Sequence, residues 1–254
     1  MDTTRPPLAV AYGGGGVFGI AYLLGVGEAL LAGGVLLREA PAIGTSAGSW
    51  AAASIALGVT WAEFEPLADD VPRRPDPREG RLCETAQLLF GEARVPTMRV
   101  VACALPRLRR ATLSGADYPA ADLVAASSAV PGLLAPHRIG KERYVDGGVR
   151  SMVSADLADA ADSLLVIAPL AGPMFGPGGW LMERTLKREM QTWMRQNHDA
   201  QAWFIRPSRA IAALARRPDQ LFDADRARRC YDLAYVQGQA VLERWNAAHP
   251  DAVR

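Results

Sequence analysis

The stretch Ala42-Ile43-Gly44-Thr45-Ser46-Ala47-Gly48-Ser49-Trp50 constrains this chain more than any other. A short apolar run leads into Gly-x-Ser-x-Gly, and an alanine-rich segment continues toward Leu57. That order predicts a strand, a sharp turn and a helix, with the serine hydroxyl exposed at the carboxyl end of the strand. Such a turn presses the positions two before and two after the serine against neighbouring backbone, where a side chain would clash. Gly44 and Gly48 fill those positions. A helix beginning at Ala47 would aim the positive end of its dipole at a developing oxyanion. Gly-x-Ser-x-Gly by itself also describes an ordinary strand-to-helix turn with a serine cap. The rest of the chain has to decide between the two.

Strand patterns at 8–12, 42–45, 97–104, 110–114, 163–168 and 202–205 alternate with helix patterns at 17–32, 47–57, 61–68, 81–90, 120–126, 183–196 and 223–247. With 254 residues, half of them hydrophobic, the chain is long enough to bury both faces of a sheet. The expectation is an α/β fold in three layers, α/β/α, with a mainly parallel central sheet, formed by one domain over 1–254. Residues 71–80, rich in proline and charge, read as an exposed loop. Residues 172–182 read as a second loop, broken by glycine and proline but carrying Met174, Phe175, Trp180, Leu181 and Met182. That apolar loop suggests either a mobile lid or point of transient contact with a membrane surface, or a buried loop packed on the core.

The segment 8–37 carries a single charge, Glu28, and its hydropathy alone would suggest a membrane span. Its nine glycines, four of them consecutive, argue instead for a buried strand, a glycine loop and a buried helix. Residues 1–7 lack the basic and apolar character of an export signal, so a cytoplasmic location is expected. A net charge of +1, with arginine clusters interrupted by acids, argues against a nucleic-acid partner. Cys83, Cys103 and Cys230 are odd in number and lack metal-type spacing, which points to reduced, buried thiols and no metal or cofactor.

Two further motifs bear on the serine. Gly13-Gly14-Gly15-Gly16-Val17-Phe18-Gly19 lies between the first strand and the first helix, where consecutive N–H groups can converge on one anion. Gly14-x-Gly16-x-x-Gly19 also fits the dinucleotide fingerprint, which requires an acid at the tip of the second strand. Glu39 is near the required spacing but precedes that strand, whose tip is taken by the serine turn. Dinucleotide binding is therefore the alternative rather than the leading reading. Tyr144-Val145-Asp146-Gly147-Gly148 follows a β-like run and can present a carboxylate beside the serine. A Ser-Asp-His hydrolase would place its histidine after that acid. His137 precedes it, His198 follows a charged helix, and His249 sits beside Pro250, so a serine–aspartate dyad is the more economical arrangement.

Together these residues resemble the patatin-like phospholipases, serine acyl hydrolases that use a Ser-Asp dyad. The glycine loop, Gly44-x-Ser46-x-Gly48, Ala126-Ser127-Ser128-Ala129-Val130-Pro131 and Asp146-Gly147-Gly148 occur in that family's order, over about 8–168. The resemblance implies Ser46 as nucleophile, Asp146 as base and the amides of Gly14, Gly15 and Gly16 as oxyanion hole. Gly19, Gly44, Gly48, Gly147 and Gly148 would support them. It implies no cofactor, and an acyl lipid or other ester as substrate; a catalytically silent lipid-binding relative is the other alternative. Phe18 stands where the family often has Arg or Lys, and the interval between Gly19 and Gly25 is one residue longer than expected.

Overall fold

The computed structural model describes residues 5–248. Its strands are β1 (Leu8–Tyr12), β2 (Ala42–Thr45), β3 (Met98–Ala104), β4 (Arg109–Ser114), β5 (His137–Ile139), β6 (Glu142–Asp146), β7 (Ser163–Ile167) and β8 (Gln201–Ile205). Its α-helices are α1 (Gly16–Ala32), α2 (Ala47–Leu57), α3 (Trp61–Phe64), α4 (Arg81–Phe90), α5 (Ala120–Ser128), α6 (Pro177–Gln196), α7 (Arg209–Ala212) and α8 (Ala224–Ala248). All eight strands join one sheet in the order β5-β6-β3-β2-β1-β7-β8, with β4 also paired to β3. The core pairs β1–β2, β1–β7, β2–β3 and β7–β8 are parallel; β3–β4, β3–β6 and β5–β6 are antiparallel.

The sheet separates two apolar layers, as the period-2 side-chain alternation of a strand requires. Along β1, Leu8, Val10 and Tyr12 face the layer formed with α1, α2, α4, α5 and α8, while Ala9 and Ala11 face the layer filled by Leu186, Met190 and Trp193 of α6. The expected α/β/α architecture with a mainly parallel sheet is therefore observed. Sequence periodicity had merged two features that the structure separates. Residues 61–68 split into α3 and a 3-10 turn (Glu65–Asp70), where Pro66 interrupts α-helical bonding. Residues 177–182, expected as loop, are the opening turns of α6, with Pro177 at its first position, where a missing N–H costs nothing.

The apolar helix α1 lies between the sheet and α8, which explains its membrane-like hydropathy. At Gly25 a Cβ would stand 2.7 Å from the Tyr231 carbonyl oxygen, so the contact between α1 and α8 depends on that glycine. Glu28, the one charge in the segment, accepts from the Trp61 N–H at 2.7 Å and the Tyr231 hydroxyl at 2.6 Å. Helix α1 runs unbroken through the interval 19–25. Among the described residues no helix is long and apolar enough to cross a membrane. All three cysteines are unpaired, but Cys83 is only half-buried, because α4 turns it toward the surface. The arginine clusters are spent largely on neighbouring acids: Arg228 bonds Glu65, Asp69 and Asp225, and Arg110 forks onto Asp156.

Candidate active site

Strand β3 brings the serine and the aspartate together. On one edge β4 pairs with it over Arg99 to Ala104, so β2 and β6 have to share the other edge. Thr45 pairs with Val101, and Asp146, arriving antiparallel, pairs with the next residue, Ala102. The two strands meet end to end, which sets Asp146 against the residue that follows Thr45. That residue is Ser46.

Ser46 has φ 52° and ψ −120°, a left-handed conformation that a non-glycine residue adopts only under constraint. The constraint is visible on every side. Its N–H donates to Ser127 Oγ at 2.9 Å, and Ser127 Oγ donates onward to the Val101 carbonyl at 2.7 Å. Its carbonyl accepts from Ser49 Oγ at 2.6 Å. Helix α2 starts at once and packs so closely on β1 that a Cβ on Gly48 would drive into the Tyr12 carbonyl. One on Gly44 would lie 2.5 Å from the Gly48 oxygen. The expected close approaches at these two glycines are both present.

Asp146 is 5% exposed and Ser46 8% exposed, and both open into one cavity of about 290 Å³. Asp146 Oδ1 accepts from the Gly148 N–H at 2.6 Å. Burial raises the Asp146 carboxyl to about 6, against smaller opposing effects of the Ser46 hydroxyl and the Gly148 N–H, which favour the ionised form. A carboxyl in that range is a far better proton acceptor near neutral pH than a free aspartate. Strand β6 is held in place from below by the Asp146 N–H donating to the Ala129 carbonyl at 2.9 Å. Segment 126–131 thus supports both partners, since Ser127 holds the serine turn, Ser128 accepts from the Trp50 indole at 3.2 Å and Ala129 holds the aspartate. The order of motifs had flagged this segment without indicating its work, because serine clamps of this kind leave no spacing rule.

The glycine loop lies beside Ser46, where β1 ends. Its three expected donors are not equivalent. The Gly14 N–H donates to the Met152 carbonyl at 2.7 Å, so Gly14 anchors the loop and has no N–H left to offer an anion. Among the described residues nothing accepts from the Gly15 or Gly16 N–H, and both residues line the cavity. Gly16 takes φ +61°, and a Cβ there would meet the Leu221 carbonyl oxygen at 2.9 Å. Gly19 packs on Ala47, with a would-be Cβ contact of 3.2 Å, and Gly147 lies against the Val101 carbonyl. Phe18 is fully buried in the core, so no cation stands at that point of the loop.

Apart from Ser128, the remaining cavity wall is apolar: Val17, Ile20, Trp50, Leu82, Leu134 and Phe222 contribute to it. No histidine lines the cavity among the described residues. His137 Nε2 is 2.9 Å from Asp122, His198 is exposed, and His249 lies outside the described residues. Glu39 occupies an exposed turn before β2, at the end of the sheet opposite the glycine loop, and cannot serve a dinucleotide bound there. The loop of 172–182 does not line the cavity. Met174 is fully buried, Phe175 packs partly on the core, and only Trp180 (52%) and Leu181 (66%) stand well exposed, on α6.

No significant match to the sequence was found among curated proteins. A family model described as Patatin-like phospholipase matches residues 92–159, the stretch from the approach to β3 through β6, Asp146-Gly147-Gly148 and beyond. That match, on a mostly parallel α/β sheet flanked by helices, makes this part of the chain similar to the patatin-like phospholipases, a family of lipid acyl hydrolases.

Proposed function

We propose that the protein hydrolyses carboxylic esters of lipids through an acyl-enzyme on Ser46, with Asp146 as the only proton carrier. The observation that carries this reading is the meeting of β2 and β6 on one edge of β3, which puts a strained serine and a buried carboxylate into one apolar cavity. A serine hydroxyl needs a base during attack. As Ser46 Oγ bonds to the ester carbonyl carbon, its proton passes to the Asp146 carboxylate. The carbonyl oxygen gains the negative charge, facing the Gly15 and Gly16 N–H groups and the amino end of α2. Collapse of this intermediate breaks the ester C–O bond, and Asp146 returns the proton to the leaving alcohol. Water then attacks the acyl-enzyme by the same route, giving up its proton to Asp146, and Ser46 recovers it.

The cavity volume is at the low end of the roughly 300–1,000 Å³ usual for ligand pockets, which suits one acyl chain with the head group left outside. The test is hydrolysis of p-nitrophenyl esters of graded chain length by the wild type and by Ser46→Ala. Gly15→Val addresses the oxyanion donors. Its Cβ would come within 2.8 Å of Gly19 Cα and 3.0 Å of Pro169 Cβ, so the loop has to shift. Turnover should fall roughly a hundred- to a thousand-fold while the far-UV spectrum is kept. A folded, fully active Gly15→Val protein would remove the loop from the mechanism.

Membrane contact rests on Trp180 and Leu181. Leu181 borders a second hollow of about 260 Å³ that shares Gly148, Met152 and Leu170 with the Ser46 cavity. Leu181 on that side, and the exposed Trp180 next to it in α6, which lies against Arg206, would carry the site to a lipid surface. Trp180→Ser/Leu181→Ser is expected to reduce co-sedimentation with anionic liposomes several-fold and leave hydrolysis of a soluble short-chain ester intact. Unchanged co-sedimentation would exclude this surface.

A further inference from the structure

Away from the serine, three side chains from separate elements converge. Cys83 comes from the first turn of α4, Asp122 from the first turn of α5 and His137 from the start of β5. Asp122 Oδ1 is 2.9 Å from His137 Nε2 and 3.6 Å from Cys83 Sγ. One sulfur, one imidazole nitrogen and one carboxylate oxygen all lie within 4.8 Å of one another. Zinc bonds of about 2.0–2.3 Å set tetrahedral ligand–ligand edges of about 3.3–3.8 Å, so small side-chain movements would bring all three to bonding distance. His137 is buried and Asp122 partly exposed, which gives an ion both a fixed ligand and a way in. Burial first, and then the carboxylates of Asp122, Glu92 and Glu84, push the Cys83 thiol up, so the sulfur stands in an acidic surround. A hydrogen-bonded His–Asp pair needs no thiol beside it. The presence of all three donor types in an acidic surround is what a borderline-soft divalent cation selects.

We propose that Cys83, Asp122 and His137 form a binding site for a single zinc ion, with water completing the shell. On binding, the Cys83 S–H bond breaks, its proton passes to solvent and the sulfur bonds the metal, while neutral His137 contributes a nitrogen lone pair. The ion ties α4, α5 and β5 together behind one wall of the Ser46 cavity, since Leu82 adjoins Cys83 and Leu134 lies three residues before His137. Cysteine spacing gave no hint of this, because each ligand comes from a different element.

The full chain, stripped with chelator under reducing conditions, would be titrated with Zn²⁺ against a chromophoric chelator. The expected result is one equivalent bound, with a rise in the thermal midpoint. Cys83→Ser and His137→Ala should each weaken binding at least tenfold and abolish the thermal shift. Cys83→Ser guards against a folding defect in His137→Ala, because the Cys83 thiol makes only one long hydrogen bond. Loading with Co²⁺ should give a thiolate-to-metal absorption band that Cys83→Ser lacks, and Ser46→Ala should bind zinc like the wild type. Absence of one-to-one binding in the wild type, or binding undiminished in both ligand variants, would overturn the proposal.

Discussion

Ser46→Ala should lower ester hydrolysis by roughly 10⁴-fold or more and leave the protein folded, because the other hydroxyl lining the cavity, that of Ser128, is engaged by the Trp50 indole and Asp146 pairs with Ser46 instead. The loss should appear in kcat, with acyl-chain affinity retained, since Val17, Ile20, Leu82 and Leu134 are untouched. Folding should survive because alanine is subject to the same left-handed backbone at this position, while the clamps act on the main chain. The Ser46 N–H still reaches Ser127 Oγ, and its carbonyl still accepts from Ser49. The informative comparison is steady-state hydrolysis with thermal unfolding of both proteins. Activity that disappears in the variant supports the acyl-enzyme route. Equal activity in the two proteins would assign hydrolysis to another group. Two inert proteins that still bind lipid would favour a silent lipid-binding relative.

Several parts of this site could be read from the chain because local geometry dictates residue type. Gly44 and Gly48 flank a serine held at φ 52° in a strand-turn-helix junction, and the structure shows both at positions where a Cβ would clash. The alternation of strands and helices was legible for the same reason, since burial imposes its period on sequence. What pairs across the sheet was less legible. That β6 would end against β2, on one edge of β3, depends on the register of three strands, and no spacing encodes it. Nor does any spacing reveal that the Gly14 N–H is taken by Met152 and leaves two loop amides instead of three. Prolines and glycines in residues 172–182 looked like loop punctuation, but Pro177 opens a helix, where proline is favoured as readily as in a turn.

Asp146→Asn should separate activity from stability in opposite directions. Without its proton acceptor the enzyme is expected to lose roughly 10²–10⁴-fold in kcat/KM. In the wild type the same carboxylate must be ionised to act, so kcat/KM should rise with pH through about 6 and then level off; the residual rate of the variant should lack that inflection. Stability follows from the same burial. The folded-state value, about 6, lies above the ordinary 3.8, so the native protein prefers the neutral acid. The benefit is complete below the unfolded value and is lost as pH rises through the folded one. Above that window the wild type carries an ionisation cost on the order of 3 kcal/mol that a permanently neutral asparagine does not. Asparagine Oδ1 can still accept from the Gly148 N–H, so the local hydrogen bond survives. The two proteins should therefore unfold alike near pH 4, with Asp146→Asn more stable by roughly 5 °C or more near pH 8. A pH-independent difference, or a variant less stable at pH 8, would mean that desolvation of Asp146 is not what tunes the base.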